Sequence, residues 1–264
     1  MHFTKMHGLG NDYLYVYGEV PENVAELSVQ LSDRHFSAGS DGMIYICPSS
    51  VADFKMRIFN ADGSEAKMCG NGIRCVGKYV YDKGYTNKLH LRIETLSGIR
   101  TLNLQVTDGK VDNVTVDMGK AAVQEDMRLL VDGAEAVCTP VTVGNPHAVL
   151  FVNDIDKVPL TTLGPKLERH TAFPDGVNVE FVQVLGNNAL RMRVWERGSG
   201  VTMACGTGAC ASVMAAISKN YCCYDAPVAV HLDGGTLVIR IASDNTVTMT
   251  GPAEIVYEGE TKLC

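Results

Sequence analysis

The chain has 264 residues, 46% of them hydrophobic, and a formal net charge of −7, an ordinary composition for one large or two modest globular domains. The negative charge and the lack of any Lys/Arg-rich run exclude the basic surface of a nucleic-acid-binding protein. No apolar run reaches membrane-spanning length, and the N-terminus lacks the apolar core of a secretory signal, so we expect a cytoplasmic protein without membrane contact.

Short β-rich runs and two helical patterns follow one another along the chain. In the first half the predicted strands are DYLYVY, MIYI, FKMRIF and LHLRIET, and the predicted helix is GIRCVGKYVYDKG. In the second half the predicted strands are AVLFV, VNVEFVQV, LRMRVW, VAVHL and TLVIRIA, and the predicted helix is GACASVMAAISKN. The segments PENVAEL and KVPLTTLGPK are predicted to be loops because they are polar or contain proline.

The sequence contains an internal repeat. RIFNADGSEAKMCGNG aligns without a gap against RVWERGSGVTMACGTG and places Cys69 opposite Cys205. Gly-Asn before DYLYVY likewise faces Gly-Asn before PHAVLFV, which pairs Asn11 with Asn145, and NVTVDMGKA faces NTVTMTGPA. Matches in the same order predict two pseudo-equivalent domains. The predicted domains are residues 1–118 completed by residues 252–264, and residues 119–251.

Each repeat places a cysteine and Gly-x-Gly at the start of its predicted helix. The first turn of a helix has unpaired N–H groups and the positive end of the dipole, so it lowers the pKa of a cysteine and can bind a carboxylate. Two such helix starts predict a cleft in which Cys69 and Cys205, one thiolate and one thiol, act on opposite faces of one carbon atom. Cys75 and Cys210 lie deeper in the helices and are predicted to be core residues.

The nine cysteines are predicted to be thiols rather than disulfides, because their count is odd and no secretory signal precedes them. The Cys-x5-Cys and Cys-x4-Cys spacings beside the two helices do not match zinc-ligand pairs, so no metal site is expected.

Five ordered motifs, KMHGLGND, NADGSEAKMCGNGIRC, GNPHAV, GVNVEF and ERGSGVTMACGTGACAS, resemble the diaminopimelate epimerase family along the whole chain. The resemblance implies an α/β (α+β) fold of two pseudo-symmetric domains, each a mixed curled β-sheet around a central helix. It implies an isomerase that needs no cofactor and converts LL- to meso-2,6-diaminopimelate for lysine and peptidoglycan synthesis. It also implies a homodimer whose only ligand is a small zwitterion.

The resemblance also assigns site residues. It makes Cys69 and Cys205 the acid/base pair. It implies that the reacting carboxylate is held by amides of Gly70, Asn71, Gly206 and Thr207. It implies that the substrate's amino and carboxylate groups are bound by Asn11, Asn60, Asn145, Asn178, Glu196 and Arg197. Arg197 can bind a distal carboxylate through two hydrogen bonds, and Glu196 can accept from an ammonium. The further catalytic candidates are His147, which could orient or deprotonate a cysteine, and Glu196.

The sequence departs from the family pattern at Gly42, where many relatives have a glutamine near the substrate. Three other functions remain open. A proline racemase or hydroxyproline epimerase shares the two-thiol chemistry but has less use for several asparagines and an arginine. A pyridoxal-phosphate racemase needs a Schiff-base lysine and a phosphate site. The cysteines could instead serve a zinc-binding or redox-sensing module.

Overall fold

The computed structural model describes residues 1–186 and 188–263 and contains both helices and strands. Within these residues the strands are β1 His2–Gly8, β2 Asn11–Tyr17, β3 Gly42–Cys47, β4 Phe54–Asn60, β5 Glu65–Ala66, β6 His90–Thr95, β7 Gly98–Thr107, β8 Lys110–Lys120, β9 Ala122–Val123, β10 Met127–Val131, β11 Ala134–Thr142, β12 Pro146–Phe151, β13 Asn178–Gly186, β14 Ala189–Glu196, β15 Gly200–Val201, β16 Val228–Leu232, β17 Gly235–Ile241, β18 Thr246–Pro252 and β19 Glu254–Glu260. The α-helices of the same residues are α1 Val24–Ser32, α2 Gly70–Asp82, α3 Leu160–Glu168 and α4 Gly206–Ser218. Across this described part of the chain, no helix is long and apolar enough to cross a membrane.

The chain divides into two compact units. Unit 1 consists of Met1–Val116 and Gly251–Cys264, and unit 2 consists of Asp117–Thr250. The cysteines within the described residues are free thiols, whereas Cys264 lies outside those residues.

Unit 1 is a mixed β-sheet with strand order β19-β1-β2-β3-β4-β6-β7-β8, to which β8 contributes its residues up to Val116. The pairs β2/β3 and β4/β6 are parallel, and the other neighbours are antiparallel. Buried Phe54, Met56 and Ile58 alternate along β4 with half-exposed residues, as the two-residue period of a strand requires. Helix α2 lies against β1, β2 and β7, and almost all of its residues are buried, so the sheet curls around it.

Unit 2 repeats this topology in the same order. Its strands run β9-β11-β12-β13-β14-β16-β17-β18, and β10 also pairs with β11. The parallel pairs β12/β13 and β14/β16 take the places of β2/β3 and β4/β6. Helix α4 is buried like α2 and has the same length of 13 residues. The expected α+β class, with a repeated unit of curled sheet and central helix, is therefore confirmed.

Two segments that the sequence predicts to be loops contain helices. PENVAEL holds the start of α1, which buries Val24, Leu27 and Leu31 along one face in the core of unit 1. KVPLTTLGPK holds most of α3, which buries Leu160 and Leu167 in the core of unit 2. The loop prediction was wrong because the polar and proline residues masked apolar residues at helical spacing, and burial of those residues decides the conformation.

Candidate active site

In unit 1, Cys69 is the N-cap of α2. Its backbone is extended, and its sulfur accepts a hydrogen bond from the N–H of Gly72 at 3.3 Å. An acceptor at this position satisfies one of the N–H groups that the first helical turn leaves without a helical partner. The predicted placement of the cysteine at the helix start is therefore observed.

Asn11 lies beside Cys69. The thiol of Cys69 donates to Asn11 Oδ1 at 3.3 Å, while Asn11 Nδ2 donates to Asp41 Oδ2 at 2.8 Å. The other carboxylate oxygen of Asp41 accepts from Arg34 Nη2 at 2.9 Å. Asp41 therefore holds the NH2 end of the amide and leaves the carbonyl end to the sulfur. Asp41 is not among the site residues predicted from the sequence, because an Asp-Gly pair before a strand is an ordinary turn signal.

Gly70 and Asn71 form the first turn of α2, and a buried arginine holds that turn. Arg74 has no exposed surface, and its Nη1 donates to the carbonyl of Gly70 and to Asn71 Oδ1, each at 3.1 Å. Its Nε donates to the carbonyl of Pro252 at 3.1 Å. The arginine of MCGNGIRC therefore ties the helix start to the C-terminal segment of unit 1. Spacing alone does not distinguish such a buried arginine from a surface one.

Asn60 and Gly42 face each other across β3 and β4. Asn60 ends β4, and its Nδ2 donates to Ser64 Oγ at 3.1 Å within the following turn. Gly42 has φ +150°, and a β-carbon there would stand 2.1 Å from the carbonyl oxygen of Phe59. This backbone leaves no room for any side chain at position 42, so it excludes the glutamine that the family resemblance leads us to expect there.

In unit 2, Cys205 is the N-cap of α4. Its sulfur accepts from the N–H of Gly208 at 3.3 Å and lies 3.6 Å from Thr207 Oγ1. Burial raises the pKa of the Cys205 thiol well above its ordinary value of 9.0, and the negative charges of Glu196 and Glu180 raise it further. The sequence predicts a lowered pKa at a helix start, but burial and the two carboxylates outweigh the hydrogen bond from Gly208.

Glu196, at the end of β14, lies against the Cys205 thiol. Burial raises the pKa of the Glu196 carboxyl group above its ordinary value of 4.5, and the charge of Glu180 acts in the same direction. Hydrogen bonds from the Thr202 hydroxyl and the Cys205 thiol act in the opposite direction. The structure thus brings two predicted residues, Glu196 and Cys205, together.

His147 sits between Glu180 and Asn145. Its Nδ1 is 2.7 Å from Glu180 Oε1, and its Nε2 is 3.0 Å from Asn145 Oδ1. The side chains of His147 and Glu180 are both 0% exposed. Both ring nitrogens of His147 are therefore engaged. Glu180 is not among the site residues predicted from the sequence, although an acid inside the apolar run VNVEFV is a signal of a buried charge.

Asn178 and Arg197 are joined at the ends of β13 and β14. Asn178 Oδ1 accepts from the backbone N–H of Arg197 at 2.9 Å, and its Nδ2 donates to the carbonyl of Pro146 at 3.3 Å. The exposed Arg197 side chain donates through Nη1 to the carbonyl of Asp175 at 2.9 Å. Asn178 thus fixes the backbone from which the Arg197 guanidinium projects.

We call the surroundings of Cys69 in unit 1 and of Cys205 in unit 2 the two half-sites, and they offer the same chemistry. Each has a thiol that can carry one proton, next to a first helical turn that can bind a carboxylate. Unit 1 places Asn11, Gly70 and Asn71 around Cys69. Unit 2 places the carboxyl groups of Glu196 and Glu180 near Cys205, with the imidazole of His147 beside Glu180.

Known proteins resemble the chain over its full length. A family model for diaminopimelate epimerase matches residues 3–124 and 139–256. A diaminopimelate epimerase of Acetivibrio thermocellus is 51% identical, over 100% of this chain and 99% of that protein. One of Bacillus licheniformis is 49% identical, over 98% of this chain and 97% of that protein. The crystal structure of a probable proline racemase from Agrobacterium radiobacter has a TM-score of 0.77 at 17% identity, covering 100% of this chain and 93% of that chain. At 17% identity, the similarity to the proline racemase structure shows the fold alone.

Proposed function

The chain belongs to the diaminopimelate epimerase family, and we propose that it interconverts LL- and meso-2,6-diaminopimelate by proton transfer between Cys69 and Cys205. One observation carries the two-thiol mechanism. The two cysteines occupy the same place in a repeated topology, each capping a 13-residue helix and each accepting from the N–H three residues further on. If one of these cysteines served only a structural role, there would be no reason for the other unit to carry a cysteine at the same place with the same hydrogen bond.

The proposed reaction inverts one carbon atom. A thiolate on one face removes the α-proton, which breaks a C–H bond and forms an S–H bond. The thiol on the other face then gives up its proton, which forms the new C–H bond and leaves a thiolate. Negative charge that develops on the substrate carboxylate is stabilised by amides of the first helical turns, at Gly70, Asn71, Gly206 and Thr207.

The remaining polar residues suit a substrate with an amino-acid group at each end. Arg197 projects from a fixed backbone and can bind a distal carboxylate, while Glu196 can accept from an ammonium. Asn11, Asn60, Asn145 and Asn178 supply donors and acceptors without adding charge. A proline-type substrate lacks the distal group, so this set favours diaminopimelate over proline.

The proposal extends to a homodimer in the cytoplasm. The support for the dimer is the family resemblance. The support for the cytoplasm is the content of free thiols, two of which must stay reduced for the proposed chemistry.

Chiral chromatography of LL-diaminopimelate incubated with the protein and a reducing agent tests the proposal. We expect the meso isomer to form with wild type and with Cys223→Ser, since Cys223 is an exposed thiol outside both half-sites. We expect Cys69→Ser and Cys205→Ser to lose the activity. Turnover of proline without turnover of diaminopimelate would identify the alternative enzyme.

A further inference from the structure

The two units share a topology but differ in charge at one buried position, which lies beside the helix that the cysteine caps, α2 in unit 1 and α4 in unit 2. Ile44 pairs with Tyr15 and Ile58 in unit 1, and Glu180 pairs with Val149 and Val194 at the equivalent place in unit 2. Both side chains touch the second glycine after the cysteine. Ile44 Cδ1 and Glu180 Oε1 each lie 2.6 Å from the point where a β-carbon on that glycine would stand.

Glu180 is poorly suited to a purely structural role at this position. Its side chain is fully buried, and among the described residues its Oε2 has no hydrogen-bond partner. Burying a carboxyl group with one oxygen unsatisfied opposes folding. Ile44 shows that an apolar side chain fills the same place in the same fold. Packing therefore gives no reason for an acid at position 180.

The sulfur of Cys205 is close to the same carboxyl group. Cys205 Sγ and Glu180 Oε1 both lie within 3.2 Å of the β-carbon position of Gly208. Within unit 2, the charges that act on Cys205 come from Glu180 on β13 and Glu196 on β14. His147 on β12 lies behind Glu180 and anchors it at 2.7 Å.

We propose that Glu180 is a positioning residue of the Cys205 half-site, whose carboxylate, anchored on His147 and set against the first turn of α4, holds Cys205 in the thiol form before a ligand binds. The proposal rests on the proposed function, in which one cysteine must hold a proton ready for delivery. A negative charge near a sulfur opposes its ionisation. The raised pKa of the Cys205 thiol, to which Glu180 contributes, agrees with this role.

The test is the rate at which iodoacetamide alkylates each cysteine of the full-length protein without ligand, measured between pH 6.5 and pH 10 by peptide mass spectrometry. Glu180→Gln keeps the shape and removes the charge. We expect it to speed alkylation of Cys205 at pH 8 by roughly tenfold, the effect of one pKa unit, and to leave Cys69 unchanged. Glu168→Gln is the matched control, because Glu168 is a buried acid of unit 2 that bonds instead to Trp195 Nε1 at 2.6 Å. We expect Glu168→Gln to leave the alkylation rates of both Cys69 and Cys205 unchanged.

A folded Glu180→Gln protein with an unchanged Cys205 profile would overturn the proposal, and so would an equal acceleration at both cysteines, which indicates general loosening. If Glu180→Gln does not fold, the pH profile of Cys205 alkylation in the wild-type protein is the test. Alkylation of Cys205 must still rise above pH 9, and a plateau below pH 8 would overturn the proposal. Because no diaminopimelate is present, these outcomes are independent of the turnover assay that tests the proposed function.

Discussion

The carboxyl group of Glu180 occupies the space that a side chain on Gly208 would need, 2.6 Å from the β-carbon position. Glu180 is fixed there by His147, so the contact cannot relax by rotation of a free side chain. In the other unit, the corresponding position on Gly72 meets Ile44 Cδ1 and the terminal methyl of Met56, which are the ends of flexible side chains.

The first prediction compares Gly208→Ala with Gly72→Ala. Both substitutions keep the N–H that binds the cysteine sulfur, and both gain helix propensity. Alanine at position 72 can be accommodated by small shifts of two side-chain ends, whereas alanine at position 208 must displace an anchored carboxyl group. We expect Gly208→Ala to lower the free energy of unfolding by about 2 kcal/mol and Gly72→Ala by less than about 1 kcal/mol, measured by urea denaturation. Equal losses would show that the two sites are packed alike.

The second prediction concerns the buried arginine of unit 1. Arg74→Leu removes the donors to the carbonyls of Gly70 and Pro252 and to Asn71 Oδ1, and leaves the buried acceptors of Gly70 and Asn71 without that partner. We expect a loss of about 3 kcal/mol in the free energy of unfolding. Arg128→Ala is the control, because that side chain is 75% exposed, and we expect it to stay within about 0.5 kcal/mol of wild type. A loss of under about 1 kcal/mol for Arg74→Leu would contradict the structural role.

The third prediction is a pH dependence at Glu196. Because the pKa of its carboxyl group is raised above 4.5 in the folded protein, the folded state binds the proton more tightly than the unfolded state. The stabilising contribution of the Glu196 carboxyl group is present below pH 4.5 and is lost as the pH rises through its folded-state pKa. Glu196→Gln does not titrate, so its unfolding free energy relative to wild type should increase between pH 4 and pH 8. A difference that stays constant or falls over this range would contradict the raised pKa.

The fourth prediction tests the orientation of the Asn11 amide. Asp41→Ala removes the acceptor of Asn11 Nδ2, so the amide is no longer held with its carbonyl toward Cys69. We expect kcat/KM for diaminopimelate to fall by roughly tenfold or more, since small errors in placing catalytic groups are costly. Asp33→Ala is a control on a nearby exposed turn, where Asp33 bonds to the N–H groups of His35 and Phe36. Equal activity of the two variants would show that Asp41 does not position Asn11.

Much of the fold could be predicted from the sequence because its signals are local or repeated. The repeat relates Cys69 to Cys205 and Asn11 to Asn145, and the paired topologies follow the same order. Both cysteines lie at helix starts, as Gly-x-Gly after each indicates. The segments that form α1 and α3 were mispredicted, because long-range burial of a few apolar residues overrides polar and proline signals.

The supporting residues of the site were harder to predict. Asp41 and Glu180 act through contacts with residues far away in the sequence, and Arg74 joins its own helical turn to the distant Pro252, so residue spacing does not reveal these roles. The direction of the pKa shift at Cys205 was also mispredicted. A helix start favours the thiolate, but the burial of Cys205 and the proximity of Glu180 and Glu196 are set by tertiary packing.

The measurement that tests the two-thiol mechanism most directly is the α-deuterium content of both stereoisomers at low conversion in D2O, by mass spectrometry. A thiol carries a single proton, so the hydrogen removed from the substrate stays on one cysteine while the product receives deuterium from the other. The two-thiol mechanism predicts product that is deuterated from its first formation and remaining substrate that is largely unlabelled, with no epimerisation by Cys69→Ala or Cys205→Ala. Substantial unlabelled product from wild type, as a single base serving both faces would give, or near-normal epimerisation by either variant, would contradict it.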